Sequence, residues 1–159
     1  MARILKPPMS ITLADGEQSV FLAGSIELGV ADDWQAAFER SLADMQIAIL
    51  NPRRDGWDAT WEQSIDNPVF RGQVEWELDG LERASVVPMY FAPDTRAPIT
   101  LLELGLLAGS GKLVVCCPSG YWRRGNVEVV CARYRVPMVA EPRHLVEAVR
   151  DRLRPKHLL

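Results

Sequence analysis

A chain of 159 residues, 48% hydrophobic and 25% charged, has room for one domain with a sizeable core. Its formal net charge of -3 argues against a general nucleic-acid binder, which needs a basic surface to neutralise phosphates. No apolar run is long enough to span a bilayer, and Met1-Ala-Arg-Ile-Leu-Lys-Pro-Pro8 lacks the apolar stretch of a secretory signal, so a cytoplasmic protein that does not engage a membrane is expected.

Residues 1–18, with Pro7-Pro8 and the turn signal Ala14-Asp-Gly16, read as an extended arm or short hairpin ahead of a domain over 19–159. Val20-Phe-Leu-Ala23 reads as a buried strand ending at the turn Gly24-Ser25. Asp32 and Asp33 then precede Trp34, Ala37, Phe38 and Leu42, the pattern of an amphipathic helix with an acidic start. Ile47–Leu50 is the second strand, and Asn51-Pro-Arg-Arg-Asp-Gly56 a loop. The segment from Trp57 to Asn67 is polar with scattered Trp and matches no period. From Pro68 to Glu82, Val74, Leu78 and Leu81 recur at i, i+4 and i+7, predicting a helix with that stripe buried. Ser85–Phe91 is the third strand, although Pro88 is awkward inside a central one. A helix from Pro98 follows, then a fourth strand at Lys112–Cys117, a helix ending near Tyr134, a short strand at Val136–Val139 and a last helix from Glu141 to about Arg154.

Strands alternating with helices predict an α/β fold with a parallel sheet covered on both faces. The expected architecture is a single-domain, flavodoxin-like or Rossmann-like doubly wound sheet of five strands. Ligands in such sheets sit beyond the carboxyl ends of the strands, near the switch point. That places the Gly24-Ser25 turn, the Asn51–Trp57 loop and the segment before the Pro98 helix around one cleft.

Within Pro98–Gly111 one charged residue, Glu103, stands among Leu101, Leu102, Leu104, Leu106 and Leu107. Pro98 suits a first helical position, and Gly109 or Gly111 a C-terminal stop. The helix reads as buried. A buried carboxylate costs several kcal/mol unless paired or protonated. Glu103 therefore either faces solvent, pairs with an Arg, or is a functional carboxylate at the mouth of the cleft. Gln73, Glu77 and Gly80 share one side of the Pro68 helix, and Glu77 borders its apolar stripe. Facing the cleft, Glu77 would lie near Glu103, and two carboxyls in different surroundings can divide into acid and nucleophile.

Other chemistries find less support. There is no Gly-x-Gly-x-x-Gly and no Walker lysine. His144 and His157 lie apart from any Cys, so no metal site is expected. Ser25 has no histidine partner for a triad. Cys116, Cys117 and Cys131 are odd in number and two are adjacent, which suits free buried thiols better than a disulfide framework. Trp57, Trp61 and Trp76 could stack on a base or fill the core. The Arg53-Arg54 and Arg123-Arg124 pairs could be solvated or bind an anion.

Phe21-Leu-Ala-Gly-Ser-Ile26, Trp76-Glu-Leu-Asp-Gly-Leu81 and Leu101-Leu-Glu-Leu-Gly105, in this order and spacing, resemble the nucleoside 2-deoxyribosyltransferase superfamily, and most closely its nucleoside 2-deoxyribosyltransferase-like branch. The resemblance covers about residues 19–140. It implies the flavodoxin-like fold and cleavage of the N-glycosidic bond of a nucleoside or nucleotide without a cofactor. It implies that Glu103 is the nucleophile and Glu77 helps handle the base, a position where many members carry Asp. It also implies substrate contacts from the turn of Gly24, Ser25 and Ile26, and from Asn126 in Arg124-Gly-Asn-Val127, reaching a neighbouring subunit of a homo-oligomer. Asn51 and Trp57 complete the expected binding set. Members often carry an acidic residue shortly before the nucleophile; here Asp94 is further away and Ala97 stands nearer that position. The sugar would pass to another base or to water. The rival readings are a nucleoside 5′-monophosphate N-glycosidase that only hydrolyses, and a non-catalytic nucleotide-binding or sensing domain.

Overall fold

A computed structural model describes residues 1–26 and 32–155. His157 and most of the loop expected after Ser25 lie outside the described residues. The apolar runs form β1 (Arg3–Leu5), β2 (Ser19–Phe21), β3 (Ala23–Gly24), β4 (Ala48–Leu50), β5 (Val87–Tyr90), β6 (Leu113–Cys116) and β7 (Met138–Val139). Every strand pairing is parallel. The ladders make a three-stranded sheet ordered β1-β4-β2 and a four-stranded sheet ordered β3-β5-β6-β7.

This differs from one sheet of five strands in two respects. The arm or hairpin expected over residues 1–18 supplies β1, which pairs in parallel with β4 through Arg3–Ala48, Ile4–Ile49 and Leu5–Leu50. The Ser19–Gly24 run also divides its pairing, β2 with β4 and β3 with β5. Pro88 accounts for the break. Val87 and Phe91 donate to the Lys112 and Cys116 carbonyls on one side of β5, while the Val86 and Tyr90 carbonyls accept from Phe21 and Ser25 on the other. By that alternation the N–H that Pro88 lacks would face the Ser19–Gly24 run, so the ladder is interrupted there. An isolated parallel bridge between Val20 and Val86 links the two sheets.

The helices are α1 (Trp34–Ser41), α2 (Pro68–Arg83), α3 (Pro98–Leu107), α4 (Arg124–Tyr134) and α5 (Pro142–Leu153). Asp33 caps α1 by accepting from the Ala36 N–H, and Asn67 caps α2 by accepting from Val69 and Phe70. Trp76 and Leu81 of α2, Leu104 and Leu107 of α3, and Val127 and Cys131 of α4 pack with Phe21, Met89 and Val115. Phe38 of α1 and Leu145, Val149 and Leu153 of α5 pack with Val20, Ile49 and Val114 in a second cluster. Parallel sheets with helices on both faces agree with a Rossmann-like or flavodoxin-like fold. The three cysteines are free and buried. No helix among the described residues is long and apolar enough to cross a membrane.

Two faces differ from the periodicity. On α2 the buried residues are Gln73, Trp76, Gly80 and Leu81, whereas Leu78 of the expected stripe is 40% exposed. Gly80 sets this rotation: a Cβ there would lie 2.7 Å from Phe21 Cδ2, so the missing side chain lets the helix lie close against β2. On α3, expected to be buried throughout, Thr100, Glu103, Leu104 and Leu107 face inward, while Ile99, Leu102 and Leu106 are exposed.

Candidate active site

Three strand ends meet at the carboxyl edge. At the end of β3, Gly24 has φ +148°, and a Cβ there would lie 2.4 Å from the Tyr90 carbonyl oxygen and 2.7 Å from Trp34 Cζ2. Only glycine lets the chain pass this close to β5. The Ser25 N–H donates to the Tyr90 carbonyl at 3.0 Å. Its Oγ accepts from the Ala92 N–H at 3.0 Å and lies 2.7 Å from Thr95 Oγ1, which donates to the Ala92 carbonyl at 2.9 Å. Since Thr95 has already given its proton to Ala92, the proton between the two hydroxyls is that of Ser25. Ser25 thus fastens the loop that leads into α3. Trp34 Nε1 donates to the Ser25 carbonyl at 3.1 Å. Ile26 follows, half-buried.

Asn51, at the end of β4, is buried and occupied in the same way. Its Nδ2 donates to Glu39 Oε1 at 2.6 Å, and its Oδ1 accepts from the Arg53 N–H at 2.9 Å. The next residue, Pro52, presents its carbonyl to α2, where Gln73 Nε2 donates to it at 3.0 Å. The same Nε2 donates to Glu77 Oε1 at 3.0 Å. Further along this loop Trp57 is half-buried and stands edge-on to Trp61, ring centroids 5.0 Å apart, with the Arg54 guanidinium 5.2 Å from the Trp61 ring centre. Trp76 belongs to the core, and its Nε1 donates to the Met9 carbonyl at 2.8 Å.

Glu103 sits in the middle of α3 at 8% exposure. Burial first, and then the neighbouring Glu77 charge, push its carboxyl up to about 8. Burial also raises Glu77, to about 7, against the opposing effect of the Gln73 hydrogen bond. Neither carboxyl has an ion-pair partner among the described residues. The solvent-facing and Arg-paired readings of Glu103 therefore fall away. Two desolvated carboxyls that repel each other retain a proton between them near neutral pH, which gives one anion and one acid at the same place.

The fold thus joins Glu77 with Glu103 and sets Gln73 beside them. Asn126 stands exposed on the first turn of α4, and none of its contacts ties it to the pair. Sequence reasoning missed Thr95, which lies in no motif or period, and read Trp34 only as part of the amphipathic pattern of α1, not as a group that fastens Ser25. It noted Gln73 only as a neighbour of Glu77; the bond to Pro52 is what gives its amide a fixed direction. Ala97, just before α3, adopts a left-handed backbone at φ 45°, unusual for a residue with a Cβ. No group of three or more His, Cys, Asp or Glu side chains among the described residues is placed to hold a metal ion.

Compared with known proteins, residues 17–121 match the model of a family described as "Nucleoside 2-deoxyribosyltransferase like". A similar solved structure is that of a conserved protein from Enterococcus faecalis V583, with a TM-score of 0.63 at 12% identity, covering 87% of this chain and 100% of that one. At that identity the likeness concerns the fold alone. No curated protein matches the sequence.

Proposed function

The chain belongs to the nucleoside 2-deoxyribosyltransferase-like family, and on that premise we propose that it cleaves the N-glycosidic bond of a nucleoside or nucleotide, with Glu103 as nucleophile and Glu77 as the acid that assists the departing base. One observation carries this reading: Glu77 and Glu103 share a buried site with no ion-pair partner among the described residues, and both carboxyls are raised above the ordinary range, Glu103 the more, so the working form is the minor one in which Glu103 is ionised and Glu77 protonated.

The chemistry needs one carboxylate and one carboxylic acid. A Glu103 oxygen forms a bond to C1′ as the C1′–N bond breaks, through a transition state with oxocarbenium character. The electron pair of that bond goes to the base, which takes the proton of Glu77. A second base or water then attacks C1′, gives its proton back to Glu77, and releases the Glu103 carboxylate. No metal or cofactor enters these steps. The Gly24-Ser25-Ile26 turn and Asn51 shape the sugar side of the site through the loops they hold, and Trp57 offers an aromatic face for a base.

A homo-oligomer fits the same reading. Ile99, Leu102 and Leu106 form one exposed apolar face of α3, and Val129 of neighbouring α4 is 70% exposed. An apolar face of this kind suits a second copy of the chain, and the exposed Asn126 of α4 would then serve the partner's sugar.

Incubation with a 2′-deoxynucleoside and a second free base tests the proposal. A new nucleoside signals transfer; free sugar or sugar phosphate signals hydrolysis. Both must disappear in Glu103→Gln, with folding verified by its thermal transition. Intact ligand recovered from wild type after saturable binding would instead make the protein a binding or sensing domain.

A further inference from the structure

The Oε1 of Gln73 is a buried acceptor with nothing to accept. The amide has one orientation: its nitrogen lies 3.0 Å from the Pro52 carbonyl oxygen, and a carbonyl cannot donate, so Nε2 must face it. The other proton of Nε2 goes to Glu77 Oε1. Oε1 is left buried with no hydrogen-bond partner, on a side chain 6% exposed. Buried carbonyl oxygens are nearly always satisfied, so this one calls for a donor from outside the chain.

Glu77 narrows the identity of that donor. Because its Oε1 accepts from Gln73, a proton on the carboxyl resides on Oε2. The two joined side chains therefore carry an acceptor on one, Gln73 Oε1, and a donor on the other, the Oε2–H of protonated Glu77. Adenine carries the complementary pair on its N6/N7 edge, an amine donor next to a ring-nitrogen acceptor, whereas a 6-oxopurine carries two acceptors there. We propose that the site reads a 6-aminopurine: Gln73 Oε1 accepts from the exocyclic amine while Glu77 donates to N7, the atom through which protonation helps the base leave. An oxo group at the same place would confront Gln73 Oε1 with a second acceptor and no proton between them. The amide belongs to a side chain anchored at both protons, so it cannot turn to suit the other base without losing the Pro52 and Glu77 bonds.

The assignment rests on the glycoside-cleavage reading for its ligand, and the test separates the two. Equilibrium binding of free adenine and free hypoxanthine to the wild-type protein is measured beside turnover of 2′-deoxyadenosine and 2′-deoxyinosine. Adenine is expected to bind about ten- to a hundred-fold more tightly, with kcat/KM favouring the adenine nucleoside by a similar factor. Gln73→Met, which keeps the length and removes the acceptor, should collapse that preference to within a few-fold; the wild-type comparison decides alone if this variant does not fold. Equal affinity, preference for hypoxanthine, or no binding of either base would overturn the assignment. Adenine preference without turnover would overturn the cleavage reading and leave the base assignment standing. Turnover of both nucleosides without preference would do the reverse.

Discussion

Burial displaces Glu103 and Glu77 in the same direction, and the sign of that displacement fixes what pH should do. A carboxyl whose pKa is raised on folding favours the folded state while protonated and penalises it once ionised. The stability it lends is complete below the unfolded value and lost as pH rises through about 8 for Glu103 and about 7 for Glu77. Glu103→Gln, a neutral isostere, should therefore match wild type near about pH 4 and exceed it near about pH 9, by on the order of 3 kcal/mol in denaturant unfolding. A pH-independent difference would mean that Glu103 is not buried as described. Activity should follow a bell, because the doubly protonated pair lacks a nucleophile and the doubly ionised pair lacks an acid. Both limbs are expected well above the ordinary carboxylate range, near about 7 and about 8. Glu77→Gln should lower kcat by roughly 100- to 10,000-fold, abolish the alkaline limb, and move the remaining limb down because Glu103 loses a repelling neighbour. Glu103 was legible in the sequence as the lone charge in an apolar stretch, and Glu77 as the acid bordering a stripe. The orphaned Gln73 oxygen was not, since its direction is set by a carbonyl 21 residues away.

Close approach of backbone to backbone, more than hydropathy, decides how the elements seat. The α2 stripe predicted from Val74, Leu78 and Leu81 counts leucine as inward and glycine as neutral. In the folded chain Gly80 is the contact and Leu78 is on the surface, because the helix is drawn against Phe21 where no Cβ intervenes. The starts of α1 and α3 were readable because Asp33 and Pro98 carry local helix-start chemistry, whereas the Asn67 cap of α2 was not recognised in the polar segment that precedes it. The divided sheet was foreshadowed only by the awkwardness of Pro88, whose missing N–H has no consequence until the neighbouring strand is known. Two substitutions rank the close approaches. Gly80→Ala meets the Phe21 ring and should cost about 1–3 kcal/mol. Gly24→Ala meets the Tyr90 backbone oxygen and takes up an unfavourable φ as well, so it should cost more. Urea unfolding of the pair checks the order; a milder Gly24→Ala would contradict the described path of β3 against β5.

At the scale of the whole molecule, the proposed assembly and the proposed chemistry share one ten-residue helix, since α3 carries the exposed Ile99, Leu102 and Leu106 and, one helical turn from Ile99, the buried Glu103. Leu102 is 60% exposed and touches neither carboxyl in this reading. Leu102→Glu should reduce the mass in solution to that of one chain, by light scattering, and a wild-type protein already monomeric would remove this role for the face. Fold class and the parallel pairing of strands were legible from the alternation of elements, whereas the exposed face was hidden by the same leucine-rich composition that suggested a buried helix. The central claim is that Glu103 becomes covalently attached to the sugar, and intact-protein mass spectrometry after acid quench tests it most directly. With a 2′-deoxynucleoside, the wild-type chain should gain the mass of one deoxyribosyl group, mapped to the peptide containing Glu103, and Glu103→Gln should gain nothing and release no base. Base release by Glu103→Gln at the wild-type rate, with no adduct on either protein, would contradict it.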